Sequence, residues 1–198
     1  MVFFSVGVFW VNYYPRAYKL IYSVELRQFN EGKYKEPKTV TGMTVLYNDN
    51  DEIRFVLTLG QAGYIYMLNE SSEPLDKNIP QYYWLFPPQK ESNFFDASQL
   101  IKIPKEEFPA LVFKGSKGTE KIWIVWSEKQ IPELENVNSL LNDNKTVVNG
   151  GIKDVNKVNS IKNLLEKYAT TPNNKASKTM EVTSTNNIIA LKVELDHN

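Results

Sequence analysis

Three runs decide the fold of this chain: GQAGYIYMLN at residues 60–69, YYWLFP at residues 82–87 and GSKGTEKIWIVWS at residues 115–127. Each run is rich in aromatic and β-branched residues, which favour β-strands because they pack well on a pleated surface. Glycine or proline bounds each run, as is typical of short strands that are joined by tight turns. The pattern predicts a β-rich domain, but it does not indicate a reaction.

Alternating apolar residues extend this prediction along the chain. Apolar residues occupy every second position at 20–26, 53–59 and 189–195, and this period predicts strands that bury one face. Residues 122–126 are apolar at every position, which predicts a strand that is covered on both faces. Residues 108–113 and 121–126 flank a glycine-containing turn, so we expect them to form a hairpin.

The pattern becomes helical after Ser127. Residues 132–141 begin with proline and carry acidic residues in the first turn, as the N-termini of helices often do. Apolar residues then recur at three- and four-residue spacing, which predicts an amphipathic helix packed on the sheet: Ile152, Val155, Val158, Ile161, Leu165 and Tyr168. We therefore predict a mainly β, sandwich-like antiparallel domain over 18–198, with one or two helices inserted at about 132–169 before the last strand.

Composition excludes several classes of function. The chain has 198 residues, enough to bury a core without a metal or disulfide. It contains 0 cysteines, which excludes disulfides, thiolate metal sites and cysteine nucleophiles. Lys+Arg and Asp+Glu are both 23, so no net positive field attracts nucleic acid, and we expect no nucleic-acid partner. No glycine-rich phosphate loop is present in the sequence, and we expect no cofactor.

Residues 1–17 form an apolar N-terminal segment whose nature the sequence leaves open. The apolar run at its start is too short to span a bilayer and has no preceding Lys or Arg. It could be the remnant of a membrane anchor, a signal segment, or a strand or arm docked on the domain. In each case its aromatic residues are candidates for contact with a protein partner, a second copy or a membrane near residues 1–14: Phe3, Phe4, Phe9 and Trp10.

Residues with catalytic potential are few. His197 is the only histidine, and we expect it to face solvent where it finishes the last strand. Paired carboxylates can hydrolyse glycosides, but the acidic candidates lie in polar loops, where they are usually solvated: Glu70, Glu73, Asp76, Glu106 and Glu107. Residues 48–52 lack the ligand spacing of a calcium loop and predict a turn. We expect Glu120 to accept N–H groups of its own turn, and we predict no catalytic residue and no metal site.

Aromatic residues at 82–86 suggest a different kind of site. In a strand, Tyr82, Trp84 and Phe86 share one face, opposite Tyr83 and Leu85. If that face is exposed, it is a platform for a sugar or a partner chain. If it is buried, the helices that follow cover it. Both alternatives are open from the sequence.

The order of these motifs resembles a bacterial family, domain of unknown function 4384. The matching motifs are DEIRFVL at 51–57 followed by GYIY at 63–66, LFP at 85–87, Asn93 with Ile103-Pro104, and GTE at 118–120 followed by IWIVWS. The resemblance covers about residues 18–198 and implies an all-β module of exported or membrane-anchored bacterial proteins, with no established activity. We therefore expect a non-catalytic binding or assembly module in a bacterial envelope or extracellular complex, with a cytoplasmic location as the alternative. Second and third hypotheses are a carbohydrate-binding module that uses Tyr82 and Trp84, and a hydrolase.

Overall fold

A computed structural model describes residues 16–40, 44–76, 78–88, 91–113, 118–139, 147–148, 150–172 and 179–197. Within these ranges the chain is mainly β, with two sheets that pack face to face and two helices, which confirms the predicted sandwich-like domain. The predictions for Phe3, Phe4, Phe9 and Trp10 concern residues outside the described ranges.

The first sheet has five strands: β1 (Tyr18–Arg27), β4 (Lys38–Val40), β6 (Glu52–Leu59), β10 (Leu100–Ile103) and β14 (Met180–Ser184). Their order is β10-β6-β1-β14, and β4 also pairs with β1; every pairing is antiparallel. A small ribbon of β2 (Phe29–Asn30) and β3 (Lys33–Tyr34) follows β1. Its turn uses Glu31 and Gly32, both at positive φ.

The second sheet has eight strands: β5 (Thr44–Tyr47), β7 (Gly63–Glu70), β8 (Tyr82–Phe86), β9 (Phe94–Phe95), β11 (Thr119–Ser127), β12 (Val147–Val148), β13 (Gly151–Ile152) and β15 (Ile188–His197). Their order is β12-β13-β8-β7-β11-β15-β5, and β9 also pairs with β7. The pairing is antiparallel except at one edge, where β5 runs parallel to β15. The predicted antiparallel domain therefore has one parallel pair of strands.

The predicted hairpin of residues 108–113 and 121–126 is wrong. β11 lies between β7 and β15, so both of its hydrogen-bonding edges are occupied. Leu111 pairs instead with Ile53 of the first sheet, with N–H to carbonyl distances of 2.8 and 3.0 Å. A strand that is apolar on both faces belongs in the middle of a sheet, and this leaves no edge for the preceding segment.

Two hydrophobic cores share the second sheet. The inter-sheet core lies between the two sheets, and it receives Ile122, Ile124 and Trp126 from β11. The helix-side core lies on the opposite face of the second sheet, under α1 (Pro132–Ser139) and α2 (Val155–Lys167), and it receives Trp123 and Val125. This confirms that β11 is covered on both faces.

The amphipathic helix begins later than the sequence pattern predicts. Asp154 caps α2, with its Oδ1 accepting hydrogen bonds from the backbone N–H groups two and three residues on, at 2.9 and 3.2 Å. Ile152 therefore lies in β13, and Val155, the first helical residue, is 42% exposed. Val158 is fully buried, as are two other members of the predicted apolar face, Ile161 and Leu165. No helix in the described ranges is long and apolar enough to cross a membrane.

Candidate binding pocket

The predicted aromatic platform is buried. Tyr82, Trp84 and Phe86 are only 1%, 8% and 3% exposed. Tyr82 and Trp84 pack in the helix-side core, and the indole Nε1 of Trp84 donates to the carbonyl oxygen of Pro87 at 2.8 Å. The helices therefore cover this face, and the carbohydrate-binding hypothesis loses the surface on which it was based.

Phe86 does not share a face with Trp84, contrary to the prediction from alternation. Trp84 lies opposite Leu68 of β7, but Phe86 lies opposite Met67, so Leu85 is an extra residue in the ladder. Such a bulge shifts the alternation of side chains by one position. Phe86 consequently enters the inter-sheet core with Met67.

The candidate hydrolytic carboxylates do not form a catalytic pair in the described structure. Glu70 lies at the end of β7, where its carboxylate contacts Lys121 Nζ at 2.6 Å and accepts from Trp123 Nε1 at 2.8 Å. Glu106 follows β10 in the other sheet, and its hydrogen bond with Lys102 holds the pKa of its carboxyl below the usual range. Three further candidates, Glu73, Asp76 and Glu107, are exposed. Among the described residues, no group of three or more His, Asp or Glu side chains is arranged to hold a metal ion.

His197 is buried rather than solvent-facing, so its predicted position is wrong. Its side chain is 5% exposed and stacks on the ring of Tyr47, with centroids 4.9 Å apart. Its Nε2 lies 3.2 Å from Oδ1 of Asp49. The cause is the parallel pairing of β5 with β15, which places Tyr47 directly beside His197. Burial raises the pKa of Tyr47 to about 12, and three neighbouring carboxylates, Glu120 foremost, add to the shift.

Two further acidic residues, Glu120 and Asp51, have structural partners. The hydrogen bond described for Glu120 comes from Ser72 Oγ, at 3.2 Å, rather than from its own turn. Asp51 is fully buried and accepts backbone N–H groups from Asn48 and Phe29, at 2.9 and 2.8 Å. The predicted turn at 48–51 is thus confirmed, and the buried carboxylate of Asp51 holds it.

Tyr66 connects the second sheet to α1. Its hydroxyl donates to Oε1 of Glu135 at 2.6 Å and accepts from the backbone N–H of Ile131 at 3.2 Å. Burial first, and then the hydrogen bond to Glu135, raise the pKa of Tyr66 above its usual value. These contacts hold α1 on the sheet, and they provide hydrogen-bond partners for the hydroxyl group of Tyr66.

The feature with the character of a binding site is a cavity of about 220 Å³ where the ends of β8 and β10 meet. Eight of its ten lining residues are apolar: Leu85, Phe86, Pro88, Ile103, Pro104, Phe108, Pro109 and Leu111. The two polar residues are Glu91 and Lys105, and they pair with each other, with Nζ 2.8 Å from Oε2. We call this cavity the apolar pocket.

Two motifs of the family resemblance meet at the apolar pocket. Leu85 and Phe86 belong to the LFP run, and Ile103 and Pro104 form the Ile-Pro motif. The runs lie in different sheets, and Phe86, which follows the bulge, shares the inter-sheet core with Ile103. Local sequence patterns do not predict that these two runs are neighbours. Both runs do share a recognisable pattern, an apolar strand that ends in proline.

The fold defines the class of protein: a two-sheet sandwich with a helical layer on the outer face of one sheet. Comparisons with protein-family models, with curated proteins and with solved structures each found no match. The resemblance to domain of unknown function 4384 stays a prediction.

Proposed function

We propose that this protein is a non-catalytic binding module, and that the apolar pocket receives an apolar side chain of a protein partner. The observation that carries the proposal is the lining of the pocket. Its only two polar residues, Glu91 and Lys105, lie against each other, with Nζ 2.8 Å from Oε2, so each balances the charge of the other. An apolar group gains most from entering such a site, because it leaves water without displacing a hydrogen bond.

The volume of the pocket favours a side chain over a whole small molecule. Small-molecule sites usually enclose about 300–1,000 Å³, whereas this pocket encloses about 220 Å³. Protein interfaces often gain most of their affinity from one or two large side chains that fill pockets of this kind. Phe108 lines the pocket and is 43% exposed, so it offers additional apolar surface to the partner.

The family resemblance supplies the biological setting of the proposal. It supports a role in a bacterial envelope-associated or extracellular complex, with another protein or a second copy of this chain as the partner; a cytoplasmic complex is the alternative. The engaged carboxylates Glu70 and Glu106 support a non-catalytic role, because each is paired with a lysine.

The test is peptide selection with a matched pair of variants. Phages that display random peptides are selected on the intact chain, and enriched peptides are measured against Phe108→Lys and Phe94→Lys. Phe94 is 45% exposed, similar to Phe108, but it lies outside the pocket beside Tyr64. Both substitutions therefore place a charge on an exposed aromatic position, and only one of them places it at the pocket.

We expect the enriched peptides to share one large apolar residue. Their affinity should fall more than about tenfold with Phe108→Lys, as is usual for the loss of an interface hot spot, and should not change with Phe94→Lys. Circular dichroism melts of both variants establish that they are folded. Equal binding to both variants, or no enriched peptide, would refute the pocket as the recognition site.

A further inference from the structure

The first sheet ends at β10, and the outer edge of this strand is open in the part of the chain that the structure describes. Among the described residues, β10 pairs with β6 alone, and no backbone hydrogen bond outside that ladder reaches Leu100–Ile103. Leu100 is 63% exposed, more than any other large apolar residue in the described ranges. An open edge presents backbone N–H and C=O groups with which another strand can pair.

The backbone groups of β6 alternate between its two neighbours. Ile53 exchanges both of its backbone hydrogen bonds with Leu111, at 2.8 and 3.0 Å, and the carbonyl oxygen of Leu59 accepts from the N–H of Ser98 at 2.8 Å. Neither partner belongs to β1, which pairs along the opposite side of β6. Every second residue of a strand directs its backbone groups to the same side, so the odd-numbered residues of β6 all face β10.

β10 therefore has an alternation of its own. Ile101 and Ile103 lie opposite odd-numbered residues of β6 and bond to that strand, and their side chains enter the inter-sheet core. The backbone N–H and C=O groups of Leu100 and Lys102 consequently point away from β6. These two residues form the open edge, and their backbone groups are available to a partner.

The apolar pocket lies at one end of this edge. Ile103 and Pro104 line the pocket from the side of β10, and Leu85 lines it from the other sheet. A strand added beside β10 would direct its side chains alternately to the two faces of the sheet. A side chain on the same face as Ile103 would point between the sheets, where the pocket opens beside it.

We propose that the partner binds as an extended segment that pairs with the open edge of β10 and places one apolar side chain in the apolar pocket. This inference rests on the proposed function, because it uses the same pocket, and it adds the backbone conformation of the bound partner. In recognition of this type, backbone hydrogen bonds give affinity and a pocket for alternate side chains gives specificity. The sequence of the partner is then constrained chiefly at the residue that enters the pocket.

The geometry favours a segment of another protein over a second copy of this chain. Ile101 and Ile103 are the inward-facing residues of β10, and both are buried in the core of their own molecule. A second copy paired through β10 would therefore bring no free apolar side chain to the pocket. The strand has 4 residues, so pairing two copies through it alone would bury far less than the roughly 1,200–2,000 Å² of a stable protein interface.

Hydrogen exchange on the intact chain tests the open edge without any substitution. In the free protein, the amides of Leu100 and Lys102 should exchange at least about tenfold faster than those of Ile101 and Ile103, because only the latter are bonded to β6. Adding a saturating amount of a synthetic peptide enriched in the phage selection should slow Leu100 and Lys102 by a similar factor. Slow exchange of both amides in the free chain, or no slowing with the peptide, overturns the proposal.

Two substitutions at Lys102 test the edge hydrogen bond itself. Lys102→Pro and Lys102→Ala both remove the side chain and its contacts with Glu25 and Glu106, but only proline also removes the outward N–H. Edge strands tolerate proline at such positions, and melting curves verify folding. The enriched peptide should bind Lys102→Pro about tenfold more weakly than Lys102→Ala, and equal affinities would contradict edge pairing.

Methylating successive amide nitrogens of the peptide provides the same test on the unsubstituted chain. A peptide that pairs with β10 directs every second amide to the edge, so affinity should fall about tenfold at alternate positions and change little between them. Losses without this alternation would overturn the proposal.

The outcomes separate the edge from the pocket and from a second copy. A peptide that is weakened by Phe108→Lys but binds both Lys102 variants equally refutes edge pairing and leaves the pocket as the recognition site. A peptide that is weakened by Lys102→Pro and not by Phe108→Lys supports edge pairing and refutes the proposed function of the pocket. If sedimentation equilibrium shows a dimer that Lys102→Pro dissociates and Lys102→Ala does not, a second copy occupies the edge, and the proposal is overturned.

Discussion

Replacing Leu165 with alanine measures how strongly the helical layer contributes to folding. Leu165 is 0% exposed and lies in the helix-side core, where α2 packs on Trp123 and its neighbours in the second sheet. Truncating a fully buried leucine typically costs about 2–5 kcal/mol, because it removes apolar contact and leaves a cavity. Domains are stable by only about 5–15 kcal/mol in total, so this single change should remove a large part of the stability.

Val155 on the same helix provides the matched control. It is exposed, although its place in the apolar repeat predicted burial. Val155→Ala should change the free energy of unfolding by no more than about 0.5 kcal/mol, as is usual for surface positions. Any loss should be offset by the higher helix propensity of alanine. The comparison separates burial from the general effects of substitution within one helix.

The assay is equilibrium unfolding in urea, followed by the fluorescence of the 4 tryptophans. Trp123 and Trp126 of β11 report from the two cores. For a loss of about 3 kcal/mol and a slope near 2 kcal/mol/M, Leu165→Ala should lower the midpoint by about 1–2 M. If its midpoint shift is no larger than that of Val155→Ala, α2 is peripheral, and the assignment of a helix-side core that unfolds with the sandwich is refuted.

Two further predictions concern the sheet and the tyrosines. A Cβ at Gly63 would lie 2.5 Å from Trp126 Nε1 and 2.5 Å from a backbone oxygen. Gly63→Ala should therefore force β7 and β11 apart and cost about 1–3 kcal/mol of stability. The control is Gly118→Ala, where the atom nearest to the new Cβ is a side-chain carbon at 3.3 Å, and equal melting temperatures of the two variants would contradict the prediction. The pKa of Tyr47 is raised from 10.0 to about 12, so the stability due to its protonated form is fully present below pH 10 and is lost as pH rises through about 12. Glu120→Gln should lower that pKa, as measured by tyrosinate absorbance, and an unchanged titration would exclude the charge effect.

The regular strands were predictable because their local period is strong. Alternation at 20–26, 53–59 and 189–195 corresponds to β1, β6 and β15, and all three bury the expected face. The fully apolar run at 122–126 also predicted a layer on each side of β11, since a strand with two apolar faces needs two covers. These inferences depend only on the direction in which each side chain points, and the order of apolar and polar residues along a strand indicates that direction.

Features that depend on distant pairing were not predictable. The bulge at Leu85 breaks the alternation that placed Phe86 beside Trp84, and no glycine or proline within the strand signals it. The burial of His197 depends on Tyr47. The strands of these two residues are neighbours in the sheet, although they lie near opposite ends of the sequence. The apolar pocket likewise combines segments from two sheets. Local patterns do not specify which strands become neighbours, so they do not predict sites that form between strands.

The pairing of early with late strands has a consequence for synthesis on the ribosome. Tyr18 pairs with Ser184, and Tyr47 pairs with His197. Each sheet therefore contains an early strand whose partner is synthesised only when residues near 180–197 are made. Chains emerge at about 5–20 residues per second, and during that interval β11 and residues 18–22 of β1 each have one hydrogen-bonding edge open to the wrong partner. A nascent chain of this protein is therefore exposed to mispairing until its last strands emerge, and premature termination before residue 180 would release two incomplete sheets.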